Sequence, residues 1–359
     1  MSRTVVRIDQ LIFRTLLFFA AGGFYMSIGY AANQEANEVK ITRLLISPDG
    51  NTVAFQFINR LNRVGTGFWD WRNAKLRAIE NPQSKSLRDP SFTPDGKRLL
   101  ALTEGGSTES KASDELVSVD LTTLKISGIA HLPRPTSGFW SDPVLQPGGE
   151  KVLFLVKRPY HLVLFDLKTG QVTKVLDERV GFRFSLGGVR FVGAEEVIFS
   201  GMNPIKPNLA QRAAELQIRT SDVAAYRFRF GGQVELVYPT TPKADRNDPG
   251  ISSISASSNG KKLGFVALSK KVPHNEKRQY NLEFFTLEDG VIKQRTDLQS
   301  HMAYAQMSSD ASAVVFGVKK DREGPRSHGH KFHVLDLHTG VVTSIDLAEL
   351  MKQAPDFSP

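Results

Sequence analysis

The residues best suited to chemistry in this sequence are histidines and carboxylates. Four of the eight histidines fall between residues 328 and 338, and His328 and His330 flank one glycine, with Asp321 and Glu323 just upstream. Imidazole and carboxylate groups bind divalent metals. The spacing matches no two-ligand motif, so His328 and His330 are only candidates for a metal. We predict no resident metal, no cofactor and no catalytic residue.

Two further carboxylates, Asp89 and Asp142, each precede a proline. A pair of carboxylates at one site is what general acid–base chemistry would need. Asp-Pro is also typical of turns, so we expect both aspartates to begin strands as turn residues. Together with Arg43, Arg88 and Arg190, they are the residues that we expect beside a central channel.

The elements that must position these residues form a repeat. Ser47-Pro48-Asp49-Gly50 has the composition of a tight turn. Val53 and Phe55 follow it two residues apart, as on one face of a strand. We therefore predict a β-hairpin with one buried face. The third residues of six such turns are Asp49, Asp95, Gly148, Gly193, Asn259 and Asp310, at intervals of 46, 53, 45, 66 and 51 residues.

A second hairpin follows each of these first hairpins. In the third repeat it comprises 161–167, a Lys168-Thr169-Gly170 turn and 171–176. Repeats of about 40 to 60 residues with several strands each are typical of β-propellers. We therefore predict an all-β fold, a six-bladed β-propeller of four-stranded antiparallel blades. It spans residues 40–347 and is followed by a C-terminal tail at 348–359. Asn208–Leu216 is predicted to form a short helix capped by Asn208.

The N-terminal segment has the features of an export signal. Three arginines fall within the first 14 residues, and residues 15–32 carry no charge. Gly29 and Ala31 are placed like the small residues of a cleavage site, so we interpret 1–31 as a signal peptide and 32–39 as a linker. We expect a periplasmic or secreted protein. The alternative is an uncleaved inner-membrane anchor at 15–32. The chain has no cysteine, which excludes disulfides and a lipid-modified cysteine.

The turn Ser47-Pro48-Asp49-Gly50 followed by an apolar strand, with Phe165-Asp166-Leu167-Lys168-Thr169-Gly170 as a second hairpin, resembles the repeats of TolB-like propellers. The propeller domains of prolyl-oligopeptidase-type peptidases look similar. The resemblance covers residues 40–347 and implies the fold. The TolB family carries an α/β domain ahead of its propeller, for which this chain has no room. No Gly-x-Ser-x-Gly elbow of a hydrolase domain is present. Trp69-Asp70 lacks the Gly-His partner of Trp-Asp repeats, and we interpret it as packing.

The chain is basic, with a formal net charge of +9, and the cations concentrate in the long connections that we expect on one face of the propeller. Variable loops on a rigid scaffold usually mark a binding side. The candidate partner-binding residues are Arg60, Arg63, Lys157, Arg158, Lys270, Lys271, Lys277, Arg278, Lys319, Lys320, Arg322 and Arg326.

These features predict an exported, non-enzymatic scaffold that binds a protein or ligand through its basic face. We expect the partner to be another envelope protein or an acidic envelope polymer. Nucleic acid is not expected, and membrane contact is expected only through an uncleaved N-terminal segment. One alternative is a basic surface that only keeps the protein soluble. Another is a lyase or hydrolase acting on an acidic saccharide or ester, with a metal in the central channel.

Overall fold

The computed structural model describes most of the chain from Lys40 to Met351. The segments left undescribed within it are 59–63, 81–86, 104–113, 134, 136–138, 158–159, 178–182, 203–206, 219–222, 240–249, 258–261, 270–278, 287–290, 297–301 and 319–330. The chain divides after Asn37, and all described residues belong to the unit Glu38–Pro359. None of the helices described is long and apolar enough to cross a bilayer.

The described residues form six four-stranded antiparallel sheets, and each takes its strands in chain order. We call the sheets blades one to six. Blades one to three contain β1 (Lys40–Ile46), β2 (Thr52–Ile58), β3 (Val64–Asp70) and β4 (Lys75–Glu80); β5 (Arg88–Phe92), β6 (Arg98–Thr103), β7 (Glu115–Asp120) and β8 (Ile126–His131); β9 (Phe139–Leu145), β10 (Lys151–Lys157), β11 (His161–Asp166) and β12 (Val172–Asp177).

Blades four to six continue the same order. They contain β13 (Arg183–Phe191), β14 (Glu196–Met202), β15 (Ala224–Arg229) and β16 (Val234–Tyr238); β17 (Gly250–Ala256), β18 (Lys262–Ser269), β19 (Gln279–Thr286) and β20 (Val291–Thr296); β21 (Met302–Met307), β22 (Ala313–Val318), β23 (Lys331–Asp336) and β24 (Val342–Asp346). Two helices accompany them, α1 (Pro207–Glu215) and α2 (Leu347–Met351).

The blades surround a common axis. Their first strands contact one another in the order β1, β5, β9, β13, β17 and β21, and β21 contacts β1 in turn. The first strand of each blade is therefore innermost, and the fourth lies at the rim. The all-β propeller of four-stranded antiparallel blades predicted from the repeat is confirmed.

Where their side chains are described, the second strands are buried on both faces, and the prediction of one buried face is wrong. In β2, Val53 and Phe55 are buried in a cluster with residues of blade six, whereas Ala54 is buried in a cluster with residues of blade two. In β6, Leu99 is likewise buried with residues of blade one, and Leu100 is buried with residues of blade three. A blade has a neighbour on each side, so both sets of alternating side chains are removed from water.

In blades one, two and six, the turn between the first and second strands is held by its own polar side chains. The Ser47 hydroxyl donates to the Asp49 carboxylate at 2.5 Å and accepts from the backbone N–H of Thr52 at 2.9 Å. Thr93 and Ser308 make the same two kinds of contact in blades two and six. Ala311 replaces the glycine in the sixth turn, yet it adopts the same left-handed conformation, with φ of 57°.

In blades two, three and six, the turn between the third and fourth strands also depends on an aspartate. Asp120, Asp166 and Asp336 each accept hydrogen bonds from the backbone N–H groups two and three residues further on. A backbone bond then joins the two turns of a blade, as from the Leu121 N–H to the Lys97 carbonyl at 3.0 Å. Short, internally bonded turns thus cover one face of the propeller, which we call the turn face.

Two short helices complete the apolar packing. Helix α1 buries Leu209, Ala213 and Leu216 on one side, as the sequence predicts. It begins at Pro207, so Asn208 lies inside the helix and is not its cap. Proline is well suited to that first position because the N–H it lacks would have no partner within the helix.

The C-terminal helix α2 buries Leu347 and Leu350 against blades one and six. The segment interpreted as a tail from residue 348 therefore begins with a packed helical turn. Trp69 also lies in this cluster, edge-on to Phe332 with ring centroids 5.9 Å apart. Its interpretation as a packing residue is confirmed.

Replacement of Gly67 by alanine should destabilise the protein by about 1–3 kcal/mol through overpacking. A Cβ atom at Gly67 would lie 2.2 Å from the ring of Phe55, which is fixed against Phe332. Urea unfolding of Gly67→Ala measures the effect. Gly193→Ala is the matched control, because its Cβ would meet nothing within 4 Å. Equal stabilities of the two variants would contradict the packing described.

Acid should weaken the turns. The pKa of Asp95 lies below its ordinary 3.8, chiefly because its carboxylate accepts a hydrogen bond from the Thr93 hydroxyl. The pKa of Asp166 is lowered in the same direction, chiefly by a hydrogen bond from the backbone N–H of Thr169. Between the lowered folded pKa and 3.8, the unfolded chain binds more protons, so stability falls as the pH drops through that range. Urea unfolding at pH 6, 4 and 3 should show this fall. The fall in stability should be smaller in the double variant Asp95→Asn/Asp166→Asn. An identical fall in this variant and the wild-type protein would show that the two turn aspartates are not its cause.

Candidate functional site: the central channel

Every innermost strand carries an irregularity at the same place. The pairing of each first strand with its second strand shifts register once in all six blades. Such bulges bend a strand and redirect its side chains. Four residues before the first turn, the position beside the irregularity is occupied in blades one, two, three, five and six by Arg43, Asp89, Asp142, Ser253 and Tyr304. In blade four, Gly188, three residues before the turn, lies beside the irregularity.

The backbone at this position is unusual in three consecutive blades. Asp89, Asp142 and Gly188 have φ angles of 47°, 49° and 95°. Glycine adopts such angles freely, whereas for other residues they cost about 1–3 kcal/mol. Both aspartates lie within strands β5 and β9. The prediction that they are turn residues at the start of a strand is therefore wrong.

Arg43 brings the two aspartates together. Its Nη1 lies 2.6 Å from Oδ1 of Asp89 in blade two, and its Nη2 lies 3.0 Å from Oδ1 of Asp142 in blade three. Their side chains are 27%, 22% and 15% exposed, in that order. One guanidinium therefore joins three blades in a partly buried setting, where charge–charge attraction is stronger than at an open surface. We call these three residues the channel triad.

The triad determines what these carboxylates can do. Each aspartate already faces a cation, and Asp142 also accepts a hydrogen bond from the Ser141 hydroxyl at 3.0 Å. Arg88 forms a further ion pair with Asp114 at the start of the third strand of blade two. A general base needs a free lone pair directed at its substrate. The arrangement instead favours a structural role for Asp89 and Asp142.

A cavity of about 90 Å³ lies where the first strands end. All six blades contribute to its lining, and Arg190 of blade four is the charged side chain among the described lining residues. Turn residues Pro48, Pro94 and Pro147 also line it, which places it at the turn face. We call it the turn-face cavity.

Besides the turn aspartates, burial alters the acidity of two groups outside the channel. Burial raises the pKa of the Tyr226 hydroxyl, whose ring is stacked on Phe199. Burial, with a smaller effect from Lys331, lowers the pKa of His333, which stacks on Phe316 and contacts the Ser344 hydroxyl at 2.8 Å. His333 is therefore neutral at pH 7, as a packed strand residue.

The partner-binding residues predicted from sequence lie almost entirely outside the described residues, as do the metal candidates His328 and His330. Only the backbone of Lys157, at the end of β10, is described. Within the described ranges, no three His, Asp or Glu side chains converge as metal ligands would. Binding by these residues stays a prediction.

The sequence predicts all three members of the channel triad beside the channel, but their pairing is a finding of the structure. The signal that could have found it is positional, since Arg43, Asp89 and Asp142 each precede the first turn by four residues. Equivalent positions on neighbouring blades face one another across the axis. Opposite charges at equivalent positions therefore predict an ion pair between blades.

No protein-family model matches this sequence. No curated protein matches it either. Solved structures resemble it in fold. TolB from Acinetobacter baumannii is 16% identical with a TM-score of 0.51, and the match covers 86% of this chain and 63% of that one. An oligogalacturonate lyase in complex with manganese is 15% identical with a TM-score of 0.51, covering 85% of this chain and 77% of that one.

At this level of identity the resemblance concerns the fold alone. The chain spans less than two thirds of the length of the TolB structure. The two neighbours also differ in what they are, one a TolB and the other an oligogalacturonate lyase. The comparisons therefore support a TolB-like propeller architecture and leave its use to be argued from this chain's own residues.

Replacement of Arg43 by methionine should destabilise the protein by about 1–3 kcal/mol, because it leaves two partly buried carboxylates without their cation. Adding both Asp89→Asn and Asp142→Asn to the Arg43→Met variant should recover at least about half of that loss of stability. Urea unfolding measures both effects. The control is Arg212→Met in α1, whose pair with Glu215 is about half exposed and should matter by at most about 0.5 kcal/mol. An Arg43 variant as stable as this control would show that the triad is not structural.

Proposed function

We propose that this protein is an exported scaffold of the TolB-like propeller class that binds an acidic partner without catalysing a reaction. The partner is another envelope protein or an acidic envelope polymer. The binding side is the face opposite the turn face, which we call the loop face. The observation that carries the proposal is the division of short and long connections between the two faces.

The strand order supports this division. First strands end at the turn-face cavity, so the connections from second to third strands leave from the opposite face. On the turn face, β1 ends at Ile46 and β2 begins at Thr52. On the loop face, β6 ends at Thr103 and β7 begins at Glu115, while β22 ends at Val318 and β23 begins at Lys331. Long loops on a rigid scaffold commonly carry binding residues.

The charge of these connections supports an acidic partner. Segment 270–278 contains Lys270, Lys271, Lys277 and Arg278, and segment 319–330 contains Lys319, Lys320, Arg322 and Arg326. Both segments connect second strands to third strands, so by strand order both leave from the loop face. A concentration of cations on one face speeds association with polyanions.

The channel supports a binding role more than a catalytic one. Asp89 and Asp142 are paired with Arg43, so these two channel carboxylates stabilise the ring of blades. Export, the second part of the proposal, rests on the basic and then uncharged composition of residues 1–31.

Charge reversal on the loop face should abolish binding. The variant changes Lys270, Lys271, Lys277 and Arg278 to glutamate. Its retention on immobilised heparin, and its recovery of partners from an envelope extract of the source organism, should each fall at least about tenfold at low salt.

The matched control reverses four exposed lysines next to short turns, Lys75, Lys97, Lys125 and Lys168. It has nearly the same net charge, so a general charge effect would weaken both variants equally. Loss in the loop-face variant alone supports the proposal. Equal loss in both variants, or unchanged recovery by the loop-face variant, refutes it.

A further inference from the structure

The contact surface between two adjacent blades, which we call a seam, is apolar where blades two and three meet. Near the loop-face ends of their strands, Leu102 of β6 and its pairing partner Leu116 of β7 share one apolar cluster with Val156 of β10. All three side chains are buried. Such side chains leave water without leaving a polar atom in need of a partner.

The seam between blades one and two is polar at the equivalent positions. Gln56 lies six residues after the last residue of its turn, as Leu102 does, and Thr66 is its pairing partner on β3. Thr103 lies seven residues after the last residue of its turn, as Val156 does. Gln56, Thr66 and Thr103 are 9%, 0% and 4% exposed. Positions that are apolar in the next seam therefore carry three buried polar side chains in this one.

The two threonines lie at the same depth in the seam. Phe68 of β3 and Ala101 of β6 belong to one apolar cluster between blades one and two. Thr66 and Thr103 each lie two residues from one of them, on the same side of the strand and nearer to the loop face. The two hydroxyls therefore lie next to each other across the seam, where the apolar cluster ends.

Gln56 crosses the seam to blade two. Its Nε2 donates to the Leu87 carbonyl, and Leu87 directly precedes Arg88, which pairs with Leu102. In an antiparallel ladder the next pair along is Leu87 with Thr103, so the carboxamide of Gln56 ends beside Thr103. The oxygen of that carboxamide is the group left to accept a further hydrogen bond.

The two threonine hydroxyls still need partners. Neither Oγ1 makes a hydrogen bond within the part of the chain that the structure describes. A hydroxyl that leaves water without a replacement hydrogen bond destabilises the folded state. Buried waters commonly supply that bond, and each typically makes about three hydrogen bonds to polar groups that the protein leaves unpaired. Thr66, Thr103 and the Gln56 oxygen are three such groups.

We propose that the seam between blades one and two binds an internal water molecule through the hydroxyls of Thr66 and Thr103 and the carboxamide oxygen of Gln56. The water donates to the Gln56 oxygen and to one hydroxyl and accepts from the other, so both threonines gain a partner. A polar bridge thus joins these blades where the next pair has apolar packing. The site does not depend on the function proposed for the loop face.

Oxygen-17 magnetic relaxation dispersion of the whole purified protein counts such long-lived waters, and exchange of hydroxyl protons does not disturb it. The variant Thr66→Val/Thr103→Val keeps the shape of both side chains and removes both hydroxyls. Its dispersion amplitude should fall by that of about one water. Two controls should show no fall. They are Thr66→Ser/Thr103→Ser, which keeps both hydroxyls, and Thr122→Val, which changes an exposed threonine of blade two.

The single valine variants test whether the hydroxyls are hydrogen-bonded at all. Each should lower the midpoint of urea unfolding by roughly 0.3 M, because a hydrogen bond to the water is lost. A hydroxyl without any partner would give the opposite sign, since valine would then remove a buried polar group that costs stability. The two losses should add to more than the loss in the double variant, because both hydroxyls bind the same water.

Three results would overturn the proposal. They are an undiminished dispersion amplitude in the folded double valine variant, a raised or unchanged midpoint in either single variant, and strictly additive losses. Circular dichroism checks that each variant is folded. If the double valine variant does not fold, a high-resolution crystal structure of the wild-type protein decides. It must then show water density within hydrogen-bond distance of both hydroxyls, and a site without it refutes the proposal.

Discussion

The structure depends on apolar packing between blades, because a single blade has no core of its own. Each large cluster draws residues from neighbouring sheets, as where Val53 and Phe55 of blade one are buried with Val315 and Phe332 of blade six. That last contact closes the ring. No strand is shared between the two blades, since β1–β4 and β21–β24 form separate sheets, and the chain has no cysteine. Closure therefore depends on side-chain packing and on hydrogen bonds such as that from the Asp310 N–H to the Pro48 carbonyl at 2.9 Å.

Polar contacts fix the position of each blade relative to its neighbours. Apolar surfaces have little directional preference, so two blades could slide past one another with modest loss. Hydrogen bonds between blades oppose such sliding because they must be remade as a set. The Ile46 N–H donates to Gln306 across the closing seam, and the Met307 N–H donates to Ser255 at 2.9 Å between blades five and six. Arg43 acts in the same way at the axis, where one side chain fixes blades one, two and three together.

Much of the fold follows from the sequence because the repeat contains its own local chemistry. Ser47-Pro48-Asp49-Gly50 specifies a turn, and alternating apolar residues specify the strands beside it. What one repeat cannot specify is its relation to the next. Burial of Ala54 and Leu100 on the second face depends on a neighbouring blade, and so does the pairing of Arg43 with Asp142, 99 residues away. The turn-face cavity could not be predicted, because six strand ends, each apolar and ordinary, create it only when they converge.

The same strand order that builds the ring also places the short connections on one face and the long ones on the other. Residues that make the contacts between blades lie within strands and short turns, whereas the basic segments follow the ends of second strands such as β18 and β22. We expect changes of length or charge in those segments to leave the pairing within the strands and short turns unaltered. Long surface loops also add little to the entropy cost of folding. A propeller of this kind can therefore change its loops without changing its fold, and its fold by itself does not identify what it binds.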